Sequence, residues 1–298
     1  MLVYIRESDW DTIFCPCEKE DIAEHIRNRL EVEQLEQVRR QREKETAHLY
    51  VVIKVACDRD FQKQIGSSQY FDLVNLNQVK SYRIHKKTVF KEFQQKVAED
   101  FGVQPSWQRF WVWKQRHSGT VRPDSPLPSG GKIDDVLDLR NYKDNLHSPN
   151  LEQATLMAIA LYLEVPESPT RPMFDIPPDT VLLFFKLYDP HKRHLSYVAH
   201  RHVHKAEPFS KIFKTVGELA GFTEGTEIVG CEEVSFEPEV LCEDLPADST
   251  PEKSQLICGD VICVQKRLTD VEAHELELPT VRGFLESICN IVESTSGH

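Results

Sequence analysis

No run in these 298 residues approaches the roughly 18 consecutive apolar residues that a membrane-spanning helix needs. The amino terminus also lacks a basic stretch leading into an apolar one with a small-residue cleavage site. A soluble, intracellular protein without membrane contact is the expectation. The eight cysteines, at positions 15, 17, 57, 231, 242, 258, 263 and 289, are too scattered for a secreted disulfide scaffold and read mostly as reduced thiols used as small apolar side chains. The 12 glycines are too dispersed for a phosphate-cradling loop. Cations are in deficit, 36 Lys and Arg against 48 Asp and Glu, and the net charge of −12 disfavours nucleic acid and favours basic partners.

What is present is a pattern written twice. HLYVVIKV, TVFKEFQQKVAEDFG and QRFWVW form one copy; VLLFFKLY, PFSKIFKTVGELAG and EIVGCEEV form the other. The register that superposes Gly102 on Gly221 also pairs Phe90 with Phe209, Phe93 with Ile212 and Val97 with Val216, one apolar helical face in each copy. Strands, one helix closing at Gly and further strands predict a small sheet with a helix across one side. The period is too long for a solenoid, so each copy is expected to own its core and to act as an interaction module.

Residues 1–8, MLVYIRES, read as an orphan strand. Residues 9–47 read as a charged linker, with a solvated helix over Glu18–His48 that contains neither Pro nor Gly. Its narrow stripe is Ile22, Ile26, Leu30, Leu35 and Val38, and pairs such as Arg39 with Glu43 lace its outside. The first module covers residues 48–167. In it Leu49, Val51, Ile53 and Val55 alternate on one strand face, Val79, Tyr82 and Ile84 lie in a second strand, Thr88 is the predicted N-cap of a helix over Val89–Phe101, Pro123–Gly131 is loop, and Ala158–Val165 is the closing strand. Prolines at 166, 169, 172, 177 and 178 predict a stiff linker over 168–179. The second module covers 180–268 and a tail covers 269–298, with a helix expected around Val281–Ile291.

Chemistry is sparse. No Cys stands at a Gly-rich turn ahead of a helix, where its pKa would fall, so no hydrolytic site is assigned. Cys15 and Cys17 have no second pair at zinc spacing, and His200, His202 and His204, with His191 and His194 before them, alternate along a strand whose Arg201 and Lys205 repel cations; they read as a solvated, weakly basic strand. No metal and no cofactor is assigned. Phe110, Trp111 and Trp113, beside Arg109, Lys114 and Arg116, invite base stacking and an RNA-binding alternative, yet period two sends the two Trp to one face and Phe110 to the other, as in core or inter-module packing. The strongest candidate is the acidic stretch EEVSFEPEVLCEDLPADSTPEK, with Glu232, Glu233, Glu237, Glu239, Glu243, Asp244 and Asp248, followed by Asp260 opening the last strand. Such a surface suits proteins with Lys-rich or basic segments, and a loop kept soluble by its charge is the plain alternative.

Taken together, MLVYIRES with the charged helix after it, AHLYVVIKVACD, QRFWVWKQR, LLFFKLYDP, EEVSFEP and GDVICVQK resemble the region that follows the catalytic domain in ubiquitin-specific proteases with an amino-terminal MATH domain, the plant members above all. The resemblance implies an α+β fold of two tandem ubiquitin-like β-grasp domains behind a long charged helix, working in deubiquitination in nucleus and cytoplasm. It makes MLVYIRE the remnant last strand of a catalytic domain whose Cys, His and Asp motifs lie upstream. The chain would then be a carboxy-terminal piece that recruits partners without hydrolysing anything, or alternatively a fragment that complements a separate deubiquitinase catalytic domain in trans. It also implies that acids just before and at Gly259-Asp260 dock Lys-containing segments, although Ser254, Gln255 and Cys258 stand where an animal member of that family has acids. A third ubiquitin-like domain expected after Pro279 diverges beyond Glu286.

Overall fold

Spacing of opposite charges at i and i+4 decides the first part of the chain. In a computed structural model, which describes residues 4–13, 22–66, 72–128, 130–137, 157–166 and 175–296, the unit Met1–Leu49 holds a 3-10 turn at Glu7–Asp9, a short helix α1 (Trp10–Ile13) and a long helix α2 (Glu24–Ala47). Pairs Arg29–Glu33 (2.8 Å) and Arg39–Glu43 (3.0 Å) run along α2 as expected, and Ile26, Leu30, Leu35 and Val38 remain exposed. As described, α2 begins after Ala23, which lends no side-chain cap, and residues 18–21 of the expected helix lie outside the described residues. Residues 1–3 of the expected orphan strand, and Cys15 and Cys17, lie outside the described residues, and the rest of that segment is not strand: residues 4–6 have no regular structure and Glu7 and Ser8 lie in the 3-10 turn.

The unit Tyr50–His298 contains the duplicated pattern. Its first half comprises β1 (Tyr50–Ala56), α3 (Asp58–Gln64), β2 (Lys80–His85), α4 (Phe90–Phe101), β3 (Arg109–Gln115), β4 (Val121–Pro126), α5 (Ile133–Val136) and β5 (Met157–Glu164). The second half comprises β6 (Thr180–Asp189), β7 (His194–His204), α6 (Phe209–Leu219), β8 (Ile228–Ser235), β9 (Leu241–Asp244) and β10 (Val261–Lys266), followed by α7 (Asp270–Glu275) and α8 (Val281–Ser296). The sheets are ordered β2-β1-β5-β3-β4 and β7-β6-β10-β8-β9. In each, first and last strands pair in parallel and every other neighbour is antiparallel.

The helix faces are where periodicity puts them. Phe90, Phe93 and Val97 pack on Val51, Ile53, Val55, Phe110 and Leu161; Phe209, Ile212 and Val216 pack on Val181, Leu183, Phe185 and Ile262. Gly102 ends α4 at φ 69°, donating to the Ala98 carbonyl (2.9 Å), a left-handed cap that glycine adopts without strain. The N-cap differs from expectation. Val89, not Thr88, holds that position, and the helix start is satisfied by main chain: Phe90 N–H donates to Gly131 O and Ile133 N–H to Thr88 O, both 2.9 Å. Phe209 and Ser210 donate likewise to Ser249 (3.0 Å) and Ala247 (2.8 Å). The predicted loop at Pro123–Gly131 begins as strand, since β4 is an edge where Pro123 withdraws no needed donor.

Each helix and the sheet face it covers form a separate core. The faces of the sheets turned away from α4 and α6 form a third core that unites Trp111, Trp113, Ala160 and Tyr162 with Leu182, Phe184, Tyr188, Tyr197, Val261 and Cys263. The expectation that each copy owns its core is corrected accordingly: β5, β6 and β10 carry large apolar side chains on both faces, and the second face must also leave water. Phe61 of α3, a helix not foreseen, is fully buried at the centre, with ring centroids 5.5 Å from Tyr162, 5.8 Å from Phe184, 5.2 Å from Tyr197 and 6.2 Å from Trp113. The tail joins the same core through Val281, Phe284 and Leu285; Tyr188 donates to the Leu278 carbonyl (2.7 Å) and the Phe284 ring lies tilted against its ring, centroids 4.8 Å apart. No helix among the described residues is long and apolar enough to cross a membrane.

This shared core predicts coupled unfolding. Phe61→Ala is expected to lower stability by about 3–5 kcal/mol and to shift one cooperative transition in which fluorescence and circular dichroism coincide; two resolved transitions would show the sheets to be independent. A second expectation concerns Lys186 and Glu233, paired at 2.6 Å with neither side chain exposed. Lys186→Met should cost about 3–5 kcal/mol by stranding a buried carboxylate, and Lys186→Met with Glu233→Leu should recover most of it in chemical denaturation.

Candidate functional site

The acidic stretch folds as the β8–β9 hairpin at one edge of the second sheet. Registers Cys231 with Asp244, Glu232 with Glu243 and Glu233 with Cys242 make β9 the outermost strand. Glu237, Glu239, Glu243, Asp244 and Asp248 are exposed on it and in the loops that flank it. Glu233 does not share that surface. Period two turns it into the shared core, where burial pushes its carboxyl pKa up and the Lys186 ammonium opposes the shift. It is a structural acid, and local composition alone hid this.

Gly259 and Asp260 precede β10 and are also covered. Gly259 has φ 92° and lies against the Pro123 carbonyl, so an added side chain would collide with the first half. Asp260 is buried. Its carboxylate accepts from the Ile257 N–H (2.7 Å) and pairs with the Arg116 guanidinium, whose other Nη donates to the Cys258 carbonyl (2.6 Å). Burial raises the Asp260 pKa while Arg116 draws it down. Glu232, half-buried between these acids and the exposed row, is raised to about 7 by burial first, then by the Asp260 and Glu243 charges, with Arg116 and Arg122 opposing. Arg122 itself is buried in an ion pair with Asp72 and stands 5.9 Å from the Phe236 ring.

Two other predicted groups are reassigned. His200 and His202 are not solvated. His200 Nδ1 meets Asp58 Oδ2 at 2.8 Å, with Tyr162 and Tyr197 hydroxyls donating to the same carboxylate at 2.7 and 3.1 Å; His202 Nε2 meets Glu164 Oε1 at 2.8 Å, and the Trp111 indole donates to Glu164 at 2.6 Å. Although burial pushes the Glu164 pKa up, His202, Trp111 and Arg109 together hold it below the ordinary range. His204, His191 and His194 remain exposed. Phe110, Trp111 and Trp113 are at most 2% exposed, so their ring faces are closed to bases and the RNA reading is withdrawn. The alternation that separates Phe110 from the two Trp holds, with Phe110 in the first helix–sheet core and both Trp in the shared one. Sequence reasoning missed Asp58 and Glu164, and took Arg116 only as a neighbour of the aromatic strand; the partners of all three lie far along the chain.

The family model described as the ICP0-binding domain of ubiquitin-specific protease 7 matches residues 108–294. Among curated relatives, ubiquitin C-terminal hydrolase 12 of Arabidopsis thaliana is 42% identical over 295 residues, covering 97% of this chain and 25% of the relative. Ubiquitin C-terminal hydrolase 13 of the same organism is 40% identical, covering 97% and 26%. Ubiquitin carboxyl-terminal hydrolase 7 of Drosophila melanogaster is 22% identical, covering 98% and 24%. The chain thus spans about a quarter of the length of the curated relatives it matches. On the strength of a match over more than half its length, this chain belongs to the ubiquitin-specific protease family, in the region related to the ICP0-binding domain of ubiquitin-specific protease 7.

Proposed function

We propose that the chain is a partner-recruiting, non-catalytic region of the deubiquitination machinery, made of two ubiquitin-like β-grasp units, and that the β8–β9 edge of the second unit receives Lys-rich segments of other proteins. The β-grasp reading is supported by the repeated sheet order, with a parallel central pair, antiparallel strands on either side and one helix across one face. The observation that carries the docking reading is the set of exposed carboxylates at Glu243 and Asp244 on a short edge strand and at Glu237, Glu239 and Asp248 in the loops that flank it. The family description names binding of a protein, and hydrolase names belong to relatives four times as long. In this reading the chain holds substrates or regulators near such chemistry and performs none of it.

A fluorescent Lys-rich peptide titrated with the full chain is expected to bind with an affinity that falls as salt rises, and Glu243→Lys with Asp244→Lys should weaken it roughly tenfold or more. Equal binding by the charge-reversed chain, or none at low salt, would sink the proposal. A pH dependence follows from Glu232. Its folded pKa of about 7 lies above the unfolded one, so the stability it lends is complete in acid and is lost as pH rises through 7. The same ionisation adds negative charge behind the docking edge. Between about pH 6 and 8 the peptide should bind more tightly while the chain becomes less stable, and Glu232→Gln should flatten both trends; parallel curves for variant and wild type would contradict this.

A further inference from the structure

We propose that Arg116 is a built-in competitor for the acidic face of the second unit, so that a basic partner binds at full strength only when this guanidinium lets go. The proposal rests on the docking reading above and adds its regulation. Arg116 lies on the turn between β3 and β4 and reaches the other sheet in the manner of a bound peptide arginine, one Nη on the Asp260 carboxylate and the other on the Cys258 carbonyl. The Pro123 carbonyl closes over Gly259 beside it. Asp260, Glu232 and the opposed Glu243 form one negative group that continues into the exposed row of β9.

Two cations face that group, and they are not equivalent. Arg122 is 2% exposed, paired with Asp72 and walled by Phe236, so it is fixed. Arg116 is 20% exposed, on a turn held by its own hydrogen bonds: its N–H donates to the Thr120 carbonyl (2.8 Å), and the Gly119 N–H donates back to the Arg116 carbonyl (3.0 Å). No residue of Arg116–Thr120 belongs to any of the three apolar cores, so the side chain can swing to solvent without opening one. Its departure bares Asp260 and Glu232 behind Glu243 and lengthens the acidic row inward. Affinity measured on the resting chain is reduced by the fraction of time the slot is free; an occupancy of roughly nine-tenths weakens apparent binding about tenfold.

The test uses the full chain and the same Lys-rich peptide. Arg116→Ala is expected to bind it about tenfold more tightly, Arg116→Lys to stay near wild type, and Arg116→Ala with Asp260→Asn to lose the gain. Because the alanine variant also removes an ion pair from the interface, a second measurement needs no variant: the guanidinium NMR signal of Arg116 in the wild-type chain should move to its solvent-exposed position as peptide is added. Peptide binding with that signal unmoved, or unchanged or weaker binding by a folded Arg116→Ala chain, would make Arg116 a plain structural ion pair and leave the docking reading standing. No binding by wild type or variant would overturn both.

Discussion

The packing of two sheets through their second faces is the constraint on which the rest of this unit depends. A sheet with a helix on one side still presents a full face to water, and in each half that face is too apolar to stay there. Putting the faces together removes Trp111, Trp113, Tyr162, Phe184 and Tyr197 from solvent in one step, with Phe61 filling the space between. At roughly 25 cal/mol for each Å² of apolar area, a few such aromatics outweigh any set of surface ion pairs. The polar groups caught in the seam must then find partners there. Asp58 with His200 and Glu164 with His202 each join one half to the other, which fixes how the apolar surfaces register.

That same constraint divides the acidic residues into two populations. Lys186 and Glu233 sit within the second sheet, so their charges cancel in the core and contribute nothing to an outer field. Asp260 is matched at the seam. The acids of the β9 edge and its loops stay exposed in water. A net charge of −12 therefore understates how unevenly the field is placed.

Helix faces and turns were legible because their signals are local. Phe90, Phe93 and Val97 repeat as Phe209, Ile212 and Val216 at helical spacing, and Gly102 closes its helix in the left-handed conformation that glycine favours. Strand alternation also told that Phe110 and the two Trp point to opposite sides. Signals that depend on distant chain were lost. Arg116 and Asp260 lie 144 positions apart, and nothing around either residue marks the other. Glu233 stands in so acidic a neighbourhood that composition argued for solvent, while its strand register and the single Lys in VLLFFKLY set it inside. Helix α3 escaped because DRDFQKQ shows one apolar residue, Phe61, whose burial depends on a partner sheet that only the tertiary fold brings near.

With both faces of each sheet consumed, one by a helix and one by the other sheet, a partner of this unit is left with edges, outer helix surfaces and loops. The edges are unequal. β7 is long, and it turns His200 and His202 inward to the seam. β9 is four residues long, carries Glu243 and Asp244, and continues into further acids on both sides. A short, charged edge resists pairing with an arbitrary strand, because a second backbone must approach through a field that repels anything not cationic. The feature that protects this edge from indiscriminate association is the one that selects a basic segment, so solubility and specificity at β9 have the same electrostatic origin.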